Sequence, residues 1–152
     1  MIKIIYASTK QTGDIARNGK NLLDDPTLET AVLISLFCRR LAEPDDILPT
    51  TTSPREGWWA DQYSEIADDR WGSRLWLLNR AKPTQETLTQ AQEYAIEALA
   101  WLVEDGVAKS VECDAEWQVK DGNALLALNP IITKPNDPTR WSALWLANLA
   151  LL

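Results

Sequence analysis

The sequence contains no histidine and only two cysteines among its 152 residues. Without imidazole there is no Ser-His-Asp or Cys-His catalysis, no histidine metal ligand and no imidazole pH switch. Two cysteines are too few for a disulfide framework. We expect Cys38 and Cys113 to be reduced core residues, because free cysteine packs as a small hydrophobe. The chain also lacks a Gly-rich phosphate loop, a Cys-x-x-Cys pair and metal-ligand spacing, so we expect no cofactor.

Positive charge is also scarce, with 15 Lys and Arg residues against 22 Asp and Glu residues and a formal net charge of −7. This balance disfavours nucleic acid and anionic membranes as partners and allows partners with basic faces. No segment reaches the roughly 20 apolar residues of a membrane span, and the apolar N-terminus is too short for a signal peptide. We therefore expect a protein that is made in the cytoplasm.

The hydrophobic pattern predicts one α+β domain, with two main helices packed on one face of a small antiparallel sheet. The sheet is expected to be a C-terminal three-stranded meander, accompanied by short N-terminal strands. The predicted parts of the domain at 1–152 are N-terminal strands at 1–26, a helical part at 27–106 with a long loop at 41–59, and the meander at 107–152.

The central helix is predicted from the stretch Ala31 to Cys38, which carries one hydroxyl and no charge. Acidic residues precede this stretch and two arginines follow it, which favours a buried helix from Thr27 to Arg40 over a buried strand. Before it, Gly13-Asp14 and Asn18-Gly19 are turn signals, and the second pair could close a small hairpin.

A second helix is predicted from Thr84, a good N-cap residue, to Glu104, just before Gly106. Ser73 is a candidate cap for a short helix over residues 75–80. The connection at 41–59 contains three prolines, and a loop of that length is uncommon in a compact domain unless it has a function.

The meander is predicted from a change of period to two. Apolar and polar residues alternate from Val111 to Val119, an Asp-Gly turn follows at 120–123, and a return strand runs from Ala124 to Thr133. Pro130 suggests that this strand frays or bulges at an edge.

The hydrophobic pattern of the last part of the chain does not specify one type of secondary structure. A turn is expected at 136–138. The apolar run at 141–152 fits either a third strand, which we favour, or a short helix.

Eight tryptophans are an unusual number for this length. Tryptophan is enriched at interfaces because it offers a large contact area and one N–H group, so we expect some of them to face another chain. Trp58 and Trp59 are candidates for an interface anchor, a core plug or a ligand platform. If this stretch is extended, consecutive side chains point in opposite directions, so that one indole pins the loop and the other faces a neighbour.

The only candidate catalytic groups in the sequence are carboxylate pairs. These are Glu56 with Asp61 and Asp68 with Asp69. Two carboxylates beside a sugar cleft lined with aromatic residues would suit a glycoside hydrolase. The alternative is an ion-pair and capping network that holds the loop, and we favour it. Asp45-Asp46 could bind a cation, but adjacent acids in a proline-containing loop are usually solvated.

Several motifs follow one another in order within about residues 18–119. They are the apolar stretch at 28–37, Arg39-Arg40, the segment 55–61, the segment 72–78, and Glu93-Tyr94-Ala95 with Trp101-Leu102 ahead of 111–117. In this order they resemble the Mu-type phage baseplate family, which is similar to the lysozyme-like wedge component of other contractile tails.

The resemblance implies a structural role rather than an enzymatic one. It implies a connector in the virion tail baseplate of a phage or tailocin, present in six copies, which joins the baseplate wedge to the inner tail and initiates sheath assembly. The implied partners are a larger wedge protein, sheath subunits that add a strand at the edge of the 107–133 hairpin, and tail tube or hub proteins.

The resemblance also directs attention to particular residues. The wider family often carries Glu-Pro-Arg after the short helix, where this chain reads Asn79 to Pro83, and Arg80 or Lys82 could substitute. The residues expected at partner interfaces are Arg55, Glu56, Trp58, Trp59, Asp61, Arg80 and Lys82. Those expected to anchor the loop and helices are Arg39, Arg40, Gly57, Trp71, Gly72 and Trp76.

Overall fold

The computed structural model describes residues 1–7, 12–66 and 70–147, and its α+β architecture is the predicted one. The strands are β1 (Ile4–Ala7), β2 (Thr12–Ile15), β3 (Arg17–Asn18), β4 (Asn21–Leu22), β5 (Ser110–Lys120), β6 (Asn123–Lys134), β7 (Asp137–Ser142) and β8 (Trp145–Ala147). The helices are α1 (Glu29–Phe37), α2 (Gln85–Ala98) and α3 (Trp101–Glu104), with two short 3₁₀ helices at Trp59–Tyr63 and Leu75–Leu78.

The central helix α1 is buried, as its apolar sequence predicts, and the alternative strand is wrong. It is shorter than the predicted span of 27–40. The helix starts at Glu29 because the buried carboxylate of Asp25 accepts the backbone N–H groups of Thr27 (2.8 Å) and Thr30 (2.7 Å). It ends at Phe37, and Cys38 takes an extended conformation.

That early end corrects one prediction for the cysteines. Cys113 is buried as expected, but Cys38 is exposed, because it lies beyond the last helical turn and no longer follows the burial pattern of α1.

The second predicted helix is divided in the structure. Thr84 is its N-cap and accepts the N–H of Thr87 at 3.2 Å, as predicted. The helix tightens after Ala98, where Leu99 and Ala100 donate to residues three positions back. A single turn, α3, follows. Leu99 and Leu102 are fully buried, so the core contact continues across the break.

The sheet is built around β6, which pairs with β5 on one side and with both β7 and β8 on the other. The predicted edge position of Pro130 is therefore wrong, since it lies buried in the central strand. It is tolerated because β8 pairs with β6 only to Leu128 and β7 begins at Ile131, so neither strand needs an N–H from residue 130.

The third strand is present but broken. β7 and β8 together replace the strand expected from 141 onward, and the short-helix alternative is wrong for residues 141–147. The turn expected at 136–138 falls at 135–136 instead, because Asp137 already pairs with Lys134. The Asp-Gly turn is confirmed, with φ of 52° at Asp121 and 78° at Gly122.

The N-terminal strands form two small hairpins, β1–β2 and β3–β4. The turn at Asn18-Gly19 is confirmed, whereas Gly13-Asp14 lies inside β2. This arm is attached to α1, because the N–H of Ile4 donates to Thr30 Oγ1 at 3.1 Å and the rings of Tyr6 and Phe37 stack at 4.9 Å.

The core lies between the helices and the sheet. α2 packs on β5 and β6, and α1 packs on α2 and β1. Its fully buried large residues include Leu36, Leu99, Leu126, Leu128 and Ile132. In the described part of the chain, no helix is long and apolar enough to cross a bilayer. Asp68, Asp69 and the predicted strand beyond residue 147 lie outside the described residues.

Candidate interaction surface

The two segments that carry the sequence motifs meet through a short backbone bridge. The N–H of Arg40 donates to Ser73 O (3.0 Å), and the N–H of Ser73 donates to Cys38 O (2.9 Å). Ser73 Oγ donates to Leu36 O and accepts the N–H of Leu75, the first residue of the second 3₁₀ helix. That helix ends at Leu78 rather than at 80.

Gly72 permits this bridge. A Cβ built on Gly72 would lie 2.3 Å from Cys38 O, and its φ of 93° is in the left-handed region. A side chain at this position would therefore push the two segments apart. The neighbouring Trp71 is held by a hydrogen bond from its N–H to Asp61 Oδ1 (3.2 Å).

Arginines fix the long loop onto the domain. The guanidinium of Arg55 donates to the carbonyl oxygens of Glu43 and Pro44, so its side chain bridges the start and the end of the loop. Arg70 pairs with the carboxylate of Glu43 at 3.0 Å. Ion pairs and hydrogen bonds therefore hold the loop, as we favoured, but Arg55, Glu56 and Asp61 do not pair with one another: Arg55 binds backbone carbonyls, Glu56 pairs with Arg39 and Asp61 accepts the N–H of Trp71.

Arg74 connects the loop to α2. It pairs with Asp46 and Glu97, each at 2.9 Å, and lies 4.8 Å above the ring of Tyr94. Burial alone would lower the pKa of Arg74, but hydrogen bonds and charge interactions with Glu97 and Asp46 outweigh burial and raise it. Asp46 also accepts the N–H of Glu43 (2.7 Å), so its carboxylate has a structural role and is not free for a cation.

Arg40 and Trp76 lie beneath the loop. Trp76 is buried, and its indole N–H donates to Arg40 O at 2.8 Å. The guanidinium of Arg40 lies 3.6 Å from Glu97. Both contacts have the geometry of structural anchors.

The second feature of this region is an exposed aromatic patch. It consists of Trp58, Trp59, Tyr63 and Trp71, whose exposed fractions are 46%, 71%, 71% and 45%. Trp58 contacts Trp59 (5.9 Å between ring centroids) and Trp71 (5.6 Å), and Trp59 contacts Tyr63 (6.1 Å). One continuous aromatic surface is therefore open to solvent, and contiguous surfaces of this kind mark interaction sites.

The remaining tryptophans are more deeply placed. Trp76 and Trp145 are buried, and Trp101, Trp117 and Trp141 are partly buried. Each of Trp101 and Trp117 donates its indole N–H to a protein oxygen. Of the eight tryptophans, the three on the patch are thus the most exposed.

Trp59 begins the 3₁₀ helix Trp59–Tyr63, so the extended geometry assumed for the Trp58-Trp59 pair holds only up to Trp58. Both indoles are exposed, which corrects the alternation we expected, with one indole inside and one outside. Tyr63 was missed at sequence level. Its spacing of four residues from Trp59 is the signal that could have found it, had a helical turn been assigned there.

The carboxylates of Glu56 and Asp61 line one surface depression of about 480 Å³, together with Trp58 and Trp59. Glu56 Oε1 pairs with Arg39 at 2.9 Å. Asp61 Oδ1 accepts the N–H of Trp71, whereas Asp61 Oδ2 is enclosed and has no hydrogen-bond partner among the described residues. Glu56 has a φ of 55°, and Gly57 has a φ of 108° and packs against Leu41.

A second, mostly apolar depression of about 500 Å³ lies on the other side of Trp58 and is lined by Ile34, Cys38, Arg39, Gly57 and Trp71 as well. Arg80 and Lys82 line neither depression. They lie in the turn between Leu75–Leu78 and α2, and Arg80 has a φ of 68°. The structure therefore brings four of the seven predicted interface residues together at the first depression, namely Glu56, Trp58, Trp59 and Asp61. Arg55 lines neither depression and bonds to the start of the loop instead.

The described residues contain no cluster of metal ligands. Within 1–7, 12–66 and 70–147 there is no group of three His, Cys, Asp or Glu side chains that could hold an ion.

These features define a small α+β protein with a long loop that exposes aromatic side chains to solvent. Comparison with known sequences identifies the family. Residues 28–139 match the family described as phage protein GP46, and the chain belongs to that family. The resemblance to a Mu-type phage baseplate protein that the sequence motifs indicated is confirmed.

Two relatives are similar over most of their length. The chain is 46% identical over 108 residues to "Baseplate protein gp46" of Escherichia phage Mu, which covers 71% of this chain and 72% of that protein. It is 38% identical over 127 residues to "Mu-like prophage FluMu protein gp46" of Haemophilus influenzae, which covers 84% of this chain and 83% of that protein.

Proposed function

We propose that this protein is a structural component of the tail baseplate of a Mu-like phage or tailocin. In this role it joins a larger wedge protein to the inner tail and initiates assembly of the contractile sheath. Six copies surround the tail, each contacting tube or hub proteins on the inside. The protein is made in the host cytoplasm and then built into the virion.

The exposed aromatic patch carries this proposal. Trp59 and Tyr63 are each 71% exposed, although the loop beneath them is fixed by Arg55, Arg70 and Arg74. A rigid aromatic surface loses little conformational entropy on binding, which is the usual property of an interface anchor. The name of the Escherichia phage Mu relative, "Baseplate protein gp46", supports a place in the baseplate.

The free edge of the sheet supports strand addition by a sheath subunit. No strand in the described residues pairs with the outer edge of β5. Such an edge offers N–H and C=O groups to an incoming strand, although Cys113 O already accepts from Gln92 Nε2 at 3.2 Å. The edge belongs to the 107–133 hairpin, where we expected strand addition.

An assembly assay tests the proposal. In a phage that depends on this protein, replacement of Trp58 and Trp59 together by Ala should abolish tail assembly, although the purified variant keeps its circular dichroism spectrum. Ile47→Ala is the matched control, since Ile47 is 89% exposed and lies outside the patch. Normal particles from the double variant would show that the patch is not an assembly interface.

A glycoside hydrolase is the alternative function, and the depression shared by Glu56 and Asp61 is the observation behind it. The contacts of both residues favour the structural role, because Glu56 is paired with Arg39 and Asp61 holds the backbone of Trp71. We therefore propose that the protein is not an enzyme. Release of peptidoglycan fragments by the purified protein, abolished by Glu56→Gln, would overturn this.

A further inference from the structure

Three acidic side chains lie in a row along the free edge strand β5. Glu112, Asp114 and Glu116 occupy alternate positions and are all exposed, so their side chains leave the same face of the sheet at intervals of about 6.8 Å. The helices pack on the opposite face, which carries the core residues of β5. Carboxylates at this spacing repel one another, so the row attracts positive charge.

The neighbouring strand β6 supplies no counter-charge to this row. The residues opposite the three acids are an aliphatic residue, an amide and a small apolar residue, namely Ile131, Asn129 and Ala127. Glu116 accepts a hydrogen bond from Gln118 Nε2 at 2.8 Å. In the part of the chain that the structure describes, none of the three carboxylates forms an ion pair. The open side of β5 is therefore where a cation from a partner can approach the row.

The other face of β5 leaves apolar surface at the same edge. Val111, Ala115 and Trp117 alternate with the acids and are only partly buried against the core. One backbone acceptor of this edge is already used, since Gln92 Nε2 donates to Cys113 O at 3.2 Å, and an incoming backbone N–H can replace that donor. A strand added here would place every second side chain beside a carboxylate and the side chains between them beside apolar groups.

We infer that the strand that adds to β5 alternates basic and apolar residues, with lysine or arginine beside Glu112, Asp114 and Glu116. Cross-strand pairs of opposite charge stabilise a sheet, whereas like charges directly opposite each other destabilise it. An acidic strand is therefore disfavoured at this edge. The inference rests on the proposed function, because it specifies the chemistry of the strand that a sheath subunit contributes.

A peptide titration tests this without assembled tails. Acetyl-Lys-Val-Lys-Val-Lys-Val-Lys-amide, added to the full-length protein, should shift the backbone amide signals of β5 in NMR spectra in a saturable manner and slow hydrogen exchange at its outward N–H groups. The same peptide with glutamate in place of lysine should bind at least roughly tenfold more weakly. Equal binding of the two peptides, or no saturable shift with the basic peptide, would overturn the inference.

A peptide of the same composition in another order separates strand pairing from general attraction between opposite charges. Acetyl-Lys-Lys-Lys-Lys-Val-Val-Val-amide carries the same charge but cannot place lysine and valine on opposite faces of a strand along its length. It should protect the N–H groups of β5 from exchange far less than the alternating peptide does. Equal protection by the two peptides would contradict the inferred alternation.

Two triple variants locate the binding. The first neutralises the row and carries Glu112→Gln, Asp114→Asn and Glu116→Gln. The second is its matched control, which loses the same charge from exposed carboxylates of α2 and α3 and carries Glu86→Gln, Glu93→Gln and Glu104→Gln. The first variant should bind the alternating basic peptide roughly tenfold more weakly, and the second should bind it nearly as the wild type does. An equal loss of affinity in both would show that only net charge matters and would contradict the inference.

Other outcomes separate this inference from the proposed function. If Trp58 and Trp59 are required for tail assembly but the basic peptide does not bind to β5, the inference fails and the baseplate role stands. If the peptide binds to β5 as expected but the double variant of Trp58 and Trp59 forms normal tails, the inference stands and the interface assigned to the aromatic patch is wrong.

Discussion

Gly72 lies against the backbone of Cys38 so closely that a Cβ on Gly72 would be 2.3 Å from Cys38 O and 2.7 Å from its carbonyl carbon. This approach joins the end of α1 to the segment that holds Trp71, and Asp61 then fixes the backbone of Trp71. The position of the aromatic patch therefore depends on one residue without a side chain.

Replacement of Gly72 by Ala should destabilise the fold strongly. The φ of 93° costs about 1–2 kcal/mol for a residue with a Cβ, and the contact with backbone atoms adds about 1–3 kcal/mol of overpacking. Urea unfolding followed by tryptophan fluorescence measures the free energy of unfolding.

Gly106→Ala is the matched control for this prediction. Gly106 also has a positive φ, 70°, but a Cβ there would meet nothing within 4 Å. Its replacement should cost only the conformational part, about 1–2 kcal/mol. If the two variants lose equal stability, the close approach of Gly72 to Cys38 has no energetic consequence.

Arg74 should contribute more to stability than an exposed ion pair does. It lies between Asp46 and Glu97 with its side chain 21% exposed. Arg74→Met therefore leaves the Asp46 carboxylate without this ion pair and leaves Glu97 with only the longer contact to Arg40 (3.6 Å). We expect a loss of about 2 kcal/mol and faster proteolysis of the loop at 41–59. Lys3→Met is the control, because Lys3 and Glu29 form an exposed pair at 3.6 Å whose expected contribution is about 0–1 kcal/mol. Equal effects of the two substitutions would contradict the prediction.

Most of the fold could be predicted from the sequence, because the strongest sequence patterns are local. The alternation in β5 and the apolar run of α1 each indicate burial within one element. The cap at Thr84 indicates where a helix begins. The central position of Pro130 could not be predicted, since it depends on which strands pair on either side of β6. The break after Ala98 was also missed, because no proline or glycine marks it in the sequence.

The candidate site could be predicted from the sequence only in part. The unusual residues at 55–61 drew attention to the loop, but Trp71 joins Trp58 only through tertiary structure. Tyr63 joins Trp59 within a short helix that the sequence analysis did not assign. The pairs that Arg70 and Arg74 form with Glu43 and Asp46 span 27 and 28 residues. No sequence spacing specifies such contacts.

The Asp25 carboxylate should make stability depend on pH in acid. Burial alone would raise the pKa of Asp25, but hydrogen bonds from Thr27 and Thr30 outweigh burial and hold the pKa well below its usual range. Because the folded-state pKa is lower than the unfolded value of about 3.9, this stabilisation is complete above that pH and is lost as the pH falls towards the folded-state value.

Asp25→Asn should therefore lower the free energy of unfolding by about 2 kcal/mol at pH 7, and the difference from the wild type should shrink between about pH 5 and pH 2. Thr27→Val removes one donor to Asp25 and the acceptor of the Glu29 N–H, but keeps the two backbone bonds to the Asp25 carboxylate, so its effect should be smaller. Denaturant unfolding across this pH range measures both, and wild-type and Asp25→Asn curves that stay parallel would refute the prediction.

The surroundings of Cys113 show which way the backbone N–H and C=O groups point along β5. Pro130, its partner in β6, has no N–H to donate, and Cys113 O accepts instead from Gln92 Nε2 at 3.2 Å. The backbone groups of Cys113 therefore point away from β6. Because this direction alternates along a strand, those of Val119 also point outward, whereas those of Gln118 point to β6.

Val119→Pro should thus separate strand addition from folding. It removes an outward N–H from a residue that is 78% exposed, so the free energy of unfolding should change by less than about 1 kcal/mol, because edge strands tolerate proline. Gln118→Pro removes an N–H that points to β6 and should cost about 1–3 kcal/mol. If a sheath subunit adds its strand at this edge, phage with Val119→Pro should form baseplates that lack sheath in electron micrographs, whereas Val119→Thr, which keeps the N–H, should form normal tails. Normal sheaths on Val119→Pro particles would exclude strand addition at the β5 edge.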